Sequence, residues 1–158
     1  ARRVRLALSR LPGLIPQDQR QQTPFKISYY YDTRYAPSID ELNTLLRQQE
    51  ITANVILSFG QFLDVIPARA SKGQALRYVA QRLDIPLEQI LVAGGSGADE
   101  DMMRGNTLAV VVKNRHHEEL SPLANVDRIY FAQNSYAAGI VEAMDHYDFF
   151  GQCRVPHA

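Results

Sequence analysis

Leu91-Val92-Ala93-Gly94-Gly95-Ser96-Gly97-Ala98-Asp99-Glu100-Asp101-Met102-Met103 is the stretch that decides how this chain folds. An apolar run stops at a glycine-rich turn, and acids then open a helical segment. A short apolar run bounded by glycine reads as a buried strand. Acids in a first helical turn are favoured by the helix dipole. The stretch therefore places carboxylates at the carboxyl end of a strand, where open α/β sheets carry their ligand sites. Upstream, Ala70-Ser71-Lys72-Gly73-Gln74-Ala75-Leu76-Arg77-Tyr78 sets Lys72 in the first turn of another helix. A lysine and an acidic turn, each at a strand–helix junction, point to a magnesium–phosphate site.

Working outward, Ser71 caps a helix to about Leu83, with Ala75, Leu76, Val79, Ala80 and Leu83 at helical spacing. Leu108–Val112 is an apolar strand, Glu118–Leu123 a helical turn, and Arg128–Ala132 another strand. Ser135 caps a last helix through Met144. Apolar strands alternating with helices predict a parallel sheet covered on both faces. Residues 68–158 thus form half of a doubly wound α/β sheet.

Residues 1–67 read as a small α+β module. A helix with Val4, Leu8 and Leu11 on one face ends at Pro12-Gly13. Residues 16–24 are polar, proline-bounded and read as a loop. Phe25 to Asp32 is a strand whose alternation puts Phe25, Ile27, Tyr29 and Tyr31 on one face and Lys26, Ser28, Tyr30 and Asp32 on the other. Ser38-Ile39-Asp40-Glu41 is a capping box. It opens a helix with Ile39, Leu42, Leu45 and Leu46 on one face. Ile51–Phe59 is a strand, and Phe62–Ile66 turns back after Gly60 and stops at Pro67. No internal repeat is visible.

The 158 residues carry 17 basic and 17 acidic side chains, so the formal charge is zero. That argues against a nucleic-acid binder, which shows a basic excess. A single cysteine, Cys153, excludes a disulfide framework and points to a reducing, cytoplasmic compartment. No apolar run approaches membrane-spanning length. The basic start, Ala1 to Leu8, reads as a surface helix rather than a membrane or targeting segment.

With these residues in view, the chain resembles the haloacid-dehalogenase-like hydrolases. Ser71-Lys72-Gly73 is similar to their third motif, and Gly94-Gly95-Ser96-Gly97-Ala98-Asp99 to their fourth. Phe25-Lys26-Ile27-Ser28-Tyr29 and Asp64-Val65-Ile66-Pro67 resemble the cap of the sucrose-phosphate phosphatases. Residues 70–78 look closer still to the phosphatase-like C-terminal region of sucrose-phosphate synthases. The resemblance implies half of a haloacid-dehalogenase core plus a cap. It also shows departures. The opening Asp-x-Asp motif, whose first aspartate attacks phosphorus, does not precede the cap. The fourth motif of the family reads Gly-Asp-Ser-x-Asn-Asp, whereas position 95 here is glycine and position 98 alanine.

Phosphoryl transfer on a carboxylate needs a nucleophile, Mg²⁺ and a cation against the phosphate. Lys72 is the candidate for neutralising phosphate and nucleophile. Asp99 is the candidate Mg²⁺ ligand, weakened by Gly95. Glu100 and Asp101 read as solvated first-turn acids, His116-His117 as a solvated pair, and Ser96 as a turn residue. The polar face of the first cap strand offers Lys26, Ser28 and Tyr30 to a hexose. Ser58, Gly60 and Gln61 follow at the end of the next strand, and Asn114 is the candidate at the end of a core strand.

These features lead to the expectation of a fragment: the sucrose-phosphate-binding, catalytically degenerate domain of a sucrose-phosphate synthase, with glycosyl transfer in an upstream domain. The alternative is a Mg²⁺-dependent sucrose-phosphate phosphatase working through an aspartyl-phosphate whose nucleophile lies outside these residues. A general sugar-phosphate phosphatase is a third reading. Expected partners are sucrose phosphate or sucrose, the upstream domain or missing core half, and a second copy of the chain.

Overall fold

The computed structural model describes residues 1–152, apart from the side chains of residues 117, 118 and 152. The chain folds as two compact units, Ala1–Ser71 and a second that begins at Lys72. The first holds α1 (Arg2–Leu8), β1 (Leu14–Pro16), β2 (Ile27–Tyr31), α2 (Ile39–Gln48), β3 (Ala53–Ser58) and β4 (Phe62–Pro67). The second holds α3 (Lys72–Leu83), β5 (Leu91–Gly94), α4 (Glu100–Met103), β6 (Leu108–Val111), α5 (His117–Leu120), β7 (Ile129–Phe131), α6 (Tyr136–His146) and α7 (Phe149–Gln152).

In the first unit the strands form an antiparallel sheet in the order β1-β2-β4-β3. Val65 faces both Ile27 and Val55 across the ladder, and Leu63 faces Tyr29 and Leu57. Cross-strand partners share a face, so these residues make one apolar surface. Leu42 and Leu46 of α2, with Val4 and Leu8 of α1, pack against it. Burying each such leucine stabilises the unit by about 1.5–3 kcal/mol. The capping box forms as expected: Glu41 N–H donates to Ser38 Oγ at 3.3 Å, and Ser38 N–H to Glu41 Oε2 at 2.7 Å. The β3–β4 reversal runs through two left-handed residues, Phe59 at φ 54° and Gly60 at φ 65°.

Residues 16–24, read as a loop, follow an edge strand that was not expected, β1, which takes in Pro16, and they contain a 3-10 turn, Gln19–Gln21. Proline ends β1 because an edge strand tolerates a missing N–H. Beyond it, side-chain amides replace a strand partner. Gln17 Nε2 donates to Tyr29 O at 2.9 Å, Gln22 Nε2 donates to Ser28 O at 2.8 Å, and Ser28 N–H donates to Gln22 Oε1 at 3.1 Å. Phe25 falls outside the paired residues of β2 and is exposed rather than packed beside Ile27.

The second unit is a parallel sheet in the order β5-β6-β7, with β6 buried along its whole length. Val92, Ala109 and Val111 meet Met103, Leu120 and Leu123 on one face. Val110, with Leu91 and Ala93 packed against it, meets Ala132 and Ala143 on the other. Of the apolar positions expected to bury α3, Leu76 packs on the core and Ala80 is buried, but Val79 and Leu83 are exposed. Leu83 shares the face of Leu76, two turns on, but is the last residue of α3 and is exposed there. The short α7 was not expected. No helix among the described residues is long and apolar enough to cross a membrane. Cys153 lies outside the described residues.

Candidate functional site

Strand β5 ends at Gly94, and the chain turns at once through Gly95-Ser96 into a 3-10 turn, Gly97–Asp99, that leads into α4. Asp99 folds back over the strand end. A Cβ at Gly94 would lie only 2.4 Å from that of Asp99, so a side chain there is sterically blocked. Asp99 Oδ2 accepts hydrogen bonds from Gly95 N–H at 2.9 Å, Ser96 N–H at 3.1 Å and Ser96 Oγ at 3.3 Å. Ser96 is thus half of a second capping box, more than a turn residue. Asp99 Oδ1 accepts from Lys72 Nζ at 2.5 Å. Burial pushes the Asp99 carboxyl up, but the bond from Lys72 and the Gly95 and Ser96 amides outweigh it, so the group sits below the usual carboxylate range. Asp99 is 8% exposed, whereas the Lys72 side chain is 54% exposed. The ammonium can meet a solvent-borne anion while the carboxylate holds its stem in place.

The other acids of the turn are also partnered. Glu100 Oε1 accepts from Arg104 Nε at 2.8 Å. Asp101 accepts from Gly73 N–H at 3.0 Å and from Arg77 at 3.4 Å, so it is not simply a solvated acid. Glu119, which no local signal in the sequence singles out, accepts from Gly97 N–H at 2.5 Å. His116 N–H donates to Gly95 O at 2.7 Å, and its Nδ1 lies 3.5 Å from Glu119 Oε1. His116 therefore lines the back of the glycine turn instead of standing free in solvent. Asn114, at the same end of the sheet, accepts from Tyr136 N–H at 2.8 Å and so holds the start of α6.

For the magnesium expected at Asp99, this turn offers one carboxylate at the end of β5. Both Asp99 oxygens are engaged by a cation or by N–H and O–H donors. Gly95 supplies no carboxylate. Among the described residues no three His, Cys, Asp or Glu side chains converge on one point; Mg²⁺ takes one or two carboxylates and completes its octahedron with phosphate and water.

In the first unit, Tyr30, Gly60 and Gln61 line one shallow depression together with Gly13, Ile15, Asp32 and Thr33. Ile15 is the cross-strand neighbour of Tyr30, and Tyr30 of Phe62; Phe62 in turn faces Ser58. The result is a row across the open face with Tyr30 half exposed and 6.1 Å from the Phe62 ring. Asp32 is held by Arg34, whose side-chain bond lowers its carboxyl to about 2. Lys26 pairs with Asp64 at 3.7 Å. The expectation for Ser28 is corrected. It is 1% exposed, and its hydroxyl donates to Asp64 Oδ1 at 2.6 Å beneath the Gln17–Gln22 segment. A buried, bonded hydroxyl offers nothing to a sugar.

The profile of the family described as sucrose-6F-phosphate phosphohydrolase matches residues 1–148. The chain belongs to this family. The mannosylfructose-phosphate phosphatase of Agrobacterium fabrum is 29% identical over 92% of the chain and 59% of its own length. Sucrose-phosphatase 2 of Nicotiana tabacum is 31% identical over 87% of the chain and 35% of its own length. A sucrose-phosphatase from a Synechocystis species, solved in complex with sucrose and phosphate, superposes with a TM-score of 0.87 at 35% identity, covering 93% of this chain and 62% of that one. The chain thus spans between about a third and three fifths of the length of these relatives. A haloacid-dehalogenase subclass IIB sugar phosphatase shares the fold at a TM-score of 0.60 and 19% identity. The mixed α/β, haloacid-dehalogenase-like fold expected from the sequence is the fold observed.

These findings overturn the expectation of a degenerate, binding-only domain of a sucrose-phosphate synthase. The relatives across nearly the whole chain are phosphatases.

Proposed function

We propose that the chain serves the hydrolysis of a fructose-containing disaccharide phosphate, sucrose phosphate foremost, to the free disaccharide and orthophosphate. The observation that carries this reading is the Lys72–Asp99 pair at the carboxyl end of β5, with the lysine side chain half exposed. Similarity to phosphatases of sucrose phosphate and mannosylfructose phosphate supports the substrate class. In the reaction the bond between phosphorus and the sugar oxygen breaks. A bond to the oxygen of water forms, and the sugar oxygen takes a proton. Lys72 offsets the charge on the phosphoryl oxygens, an electrostatic role typical of phosphoryl transfer. Asp99 keeps the ammonium oriented before substrate arrives.

Tyr30, Gly60 and Gln61, with Ile15 and Phe62, form the proposed sugar surface. An aromatic ring meets the C–H face of a hexose, and the phenol and amide meet its hydroxyls. Lys26 and Ser58 stand on the same face. Calorimetry with sucrose phosphate, mannosylfructose phosphate and glucose 6-phosphate tests the reading. Binding of the first two and weaker binding of the third is expected; equal affinity for all three would reduce the site to general phosphate recognition.

A further inference from the structure

The Lys72 ammonium reaches Asp99 only if the first turn of α3 is held against the turn after β5. Lys72 opens that helix, so its backbone direction is set by the peptide that follows it. That peptide is fastened from outside the helix. Gly73 N–H donates to Asp101 Oδ2 at 3.0 Å, across 28 residues of chain. The fit admits no side chain: a Cβ at Gly73 would lie 2.4 Å from Asp101 Oδ2 and 2.6 Å from its backbone oxygen. The other carboxylate oxygen lies 3.4 Å from the Arg77 guanidinium, one turn along the same helix. Asp101 thus binds both the first and second turns of α3, while Asp99, two residues earlier, takes the lysine.

We propose that Asp101 is a positioning residue, which aims Lys72 by clamping the Gly73 amide. This rests on reading Lys72 as the phosphate-facing cation. A carboxylate at a helix N-terminus is favoured by the dipole, but that stabilisation alone would not require glycine at 73. The closeness of Gly73 to Asp101 is the sign that the position of this turn, and not only its stability, is set here.

The chain has three lysines, Lys26, Lys72 and Lys113, so lysine labelled with carbon-13 at Cε gives a spectrum assignable by single replacements. An immobilised lysine shows two separate Hε resonances; one that swings freely shows them merged. Separate resonances for Lys72 are expected in the parent chain and in Asp101→Asn, which keeps an oxygen for the Gly73 amide. Merged resonances are expected in Asp101→Ala and in Gly73→Ala. Arg77→Ala should leave them separate. Separate resonances persisting in either Asp101→Ala or Gly73→Ala would overturn the proposal, as would merging in Arg77→Ala. Should Asp101→Ala not fold, Gly73→Ala and Asp101→Asn decide it. No substrate enters the measurement, so failure to bind sucrose phosphate would remove the functional reading and leave the clamp intact.

Discussion

Lys72 Nζ stands 2.5 Å from Asp99 Oδ1, joining the first turn of α3 to the turn that follows β5. Asp99 is buried and fully bonded, while the lysine is open. The carboxylate belongs to the protein's internal structure, and the ammonium is available to a ligand.

Replacing Lys72 by methionine keeps the stem and removes the charge. Affinity for sucrose phosphate should fall by roughly ten- to a hundredfold, the scale of a lost charge-assisted bond. Affinity for sucrose itself should hold. Paired calorimetric titrations measure the difference; equal losses for both ligands would refute a phosphate role for Lys72.

Asp99 makes stability depend on pH at the acid end. Its native carboxyl lies below the ordinary value of 3.8, so the unfolded chain takes up its proton first as pH drops. The contribution is complete above that value and is lost as pH falls through the lower native one. Urea unfolding of the parent chain and Asp99→Asn between pH 2 and 6 should show the acid decline reduced in the variant. At neutral pH, Asp99→Ala should cost about 1–3 kcal/mol, since two backbone amides lose their acceptor.

Tyr30 and Ser28 lie two residues apart on one face of β2, but Ser28 is buried and Tyr30 half exposed, so their replacements should separate. Tyr30→Ala should weaken sugar binding by about 1–3 kcal/mol with little change in folding. Ser28→Ala should lower the unfolding midpoint, because Asp64 loses a buried donor, and should leave affinity alone. Thermal unfolding and calorimetry on both variants check this. Altered affinity in Ser28→Ala at unchanged stability would contradict the assignment.

Glu119→Ala should loosen the glycine turn by freeing the Gly97 amide. Amide hydrogen exchange at residues 95–98 is expected to accelerate at least tenfold, with β6 unaffected. Unchanged exchange at Gly97 would show that Glu119 does not hold the turn.

Much of the architecture was legible in the sequence because it follows from neighbours a few residues apart. Alternation along Ile27–Tyr31 set which side faces α2, and the Ser38–Glu41 box set where that helix starts. The glycine-rich stop after Ala93 set the strand–turn–helix order that carries Asp99. Lys72 and Asp99 were both visible as chemistry-bearing residues for the same reason.

Only the tertiary structure decided who meets whom. Lys72 and Asp99 are 27 residues apart, Gly97 and Glu119 are 22 apart, and Gly73 and Asp101 are 28 apart. No periodicity encodes such pairs, because they depend on how helices and strands dock. The burial of Ser28 likewise depends on the Gln17–Gln22 segment lying alongside β2, a polar stretch whose amides bond to backbone instead of water. At Asp99 the two kinds of information meet: Oδ2 takes its bonds from Gly95 and Ser96, a few residues away, while Oδ1 takes its bond from Lys72, 27 residues away. Local sequence determines elements and their faces, since these turn on spacings of two to four residues. The register of distant elements determines the site, since a hydrogen bond is made or lost over a fraction of an ångström.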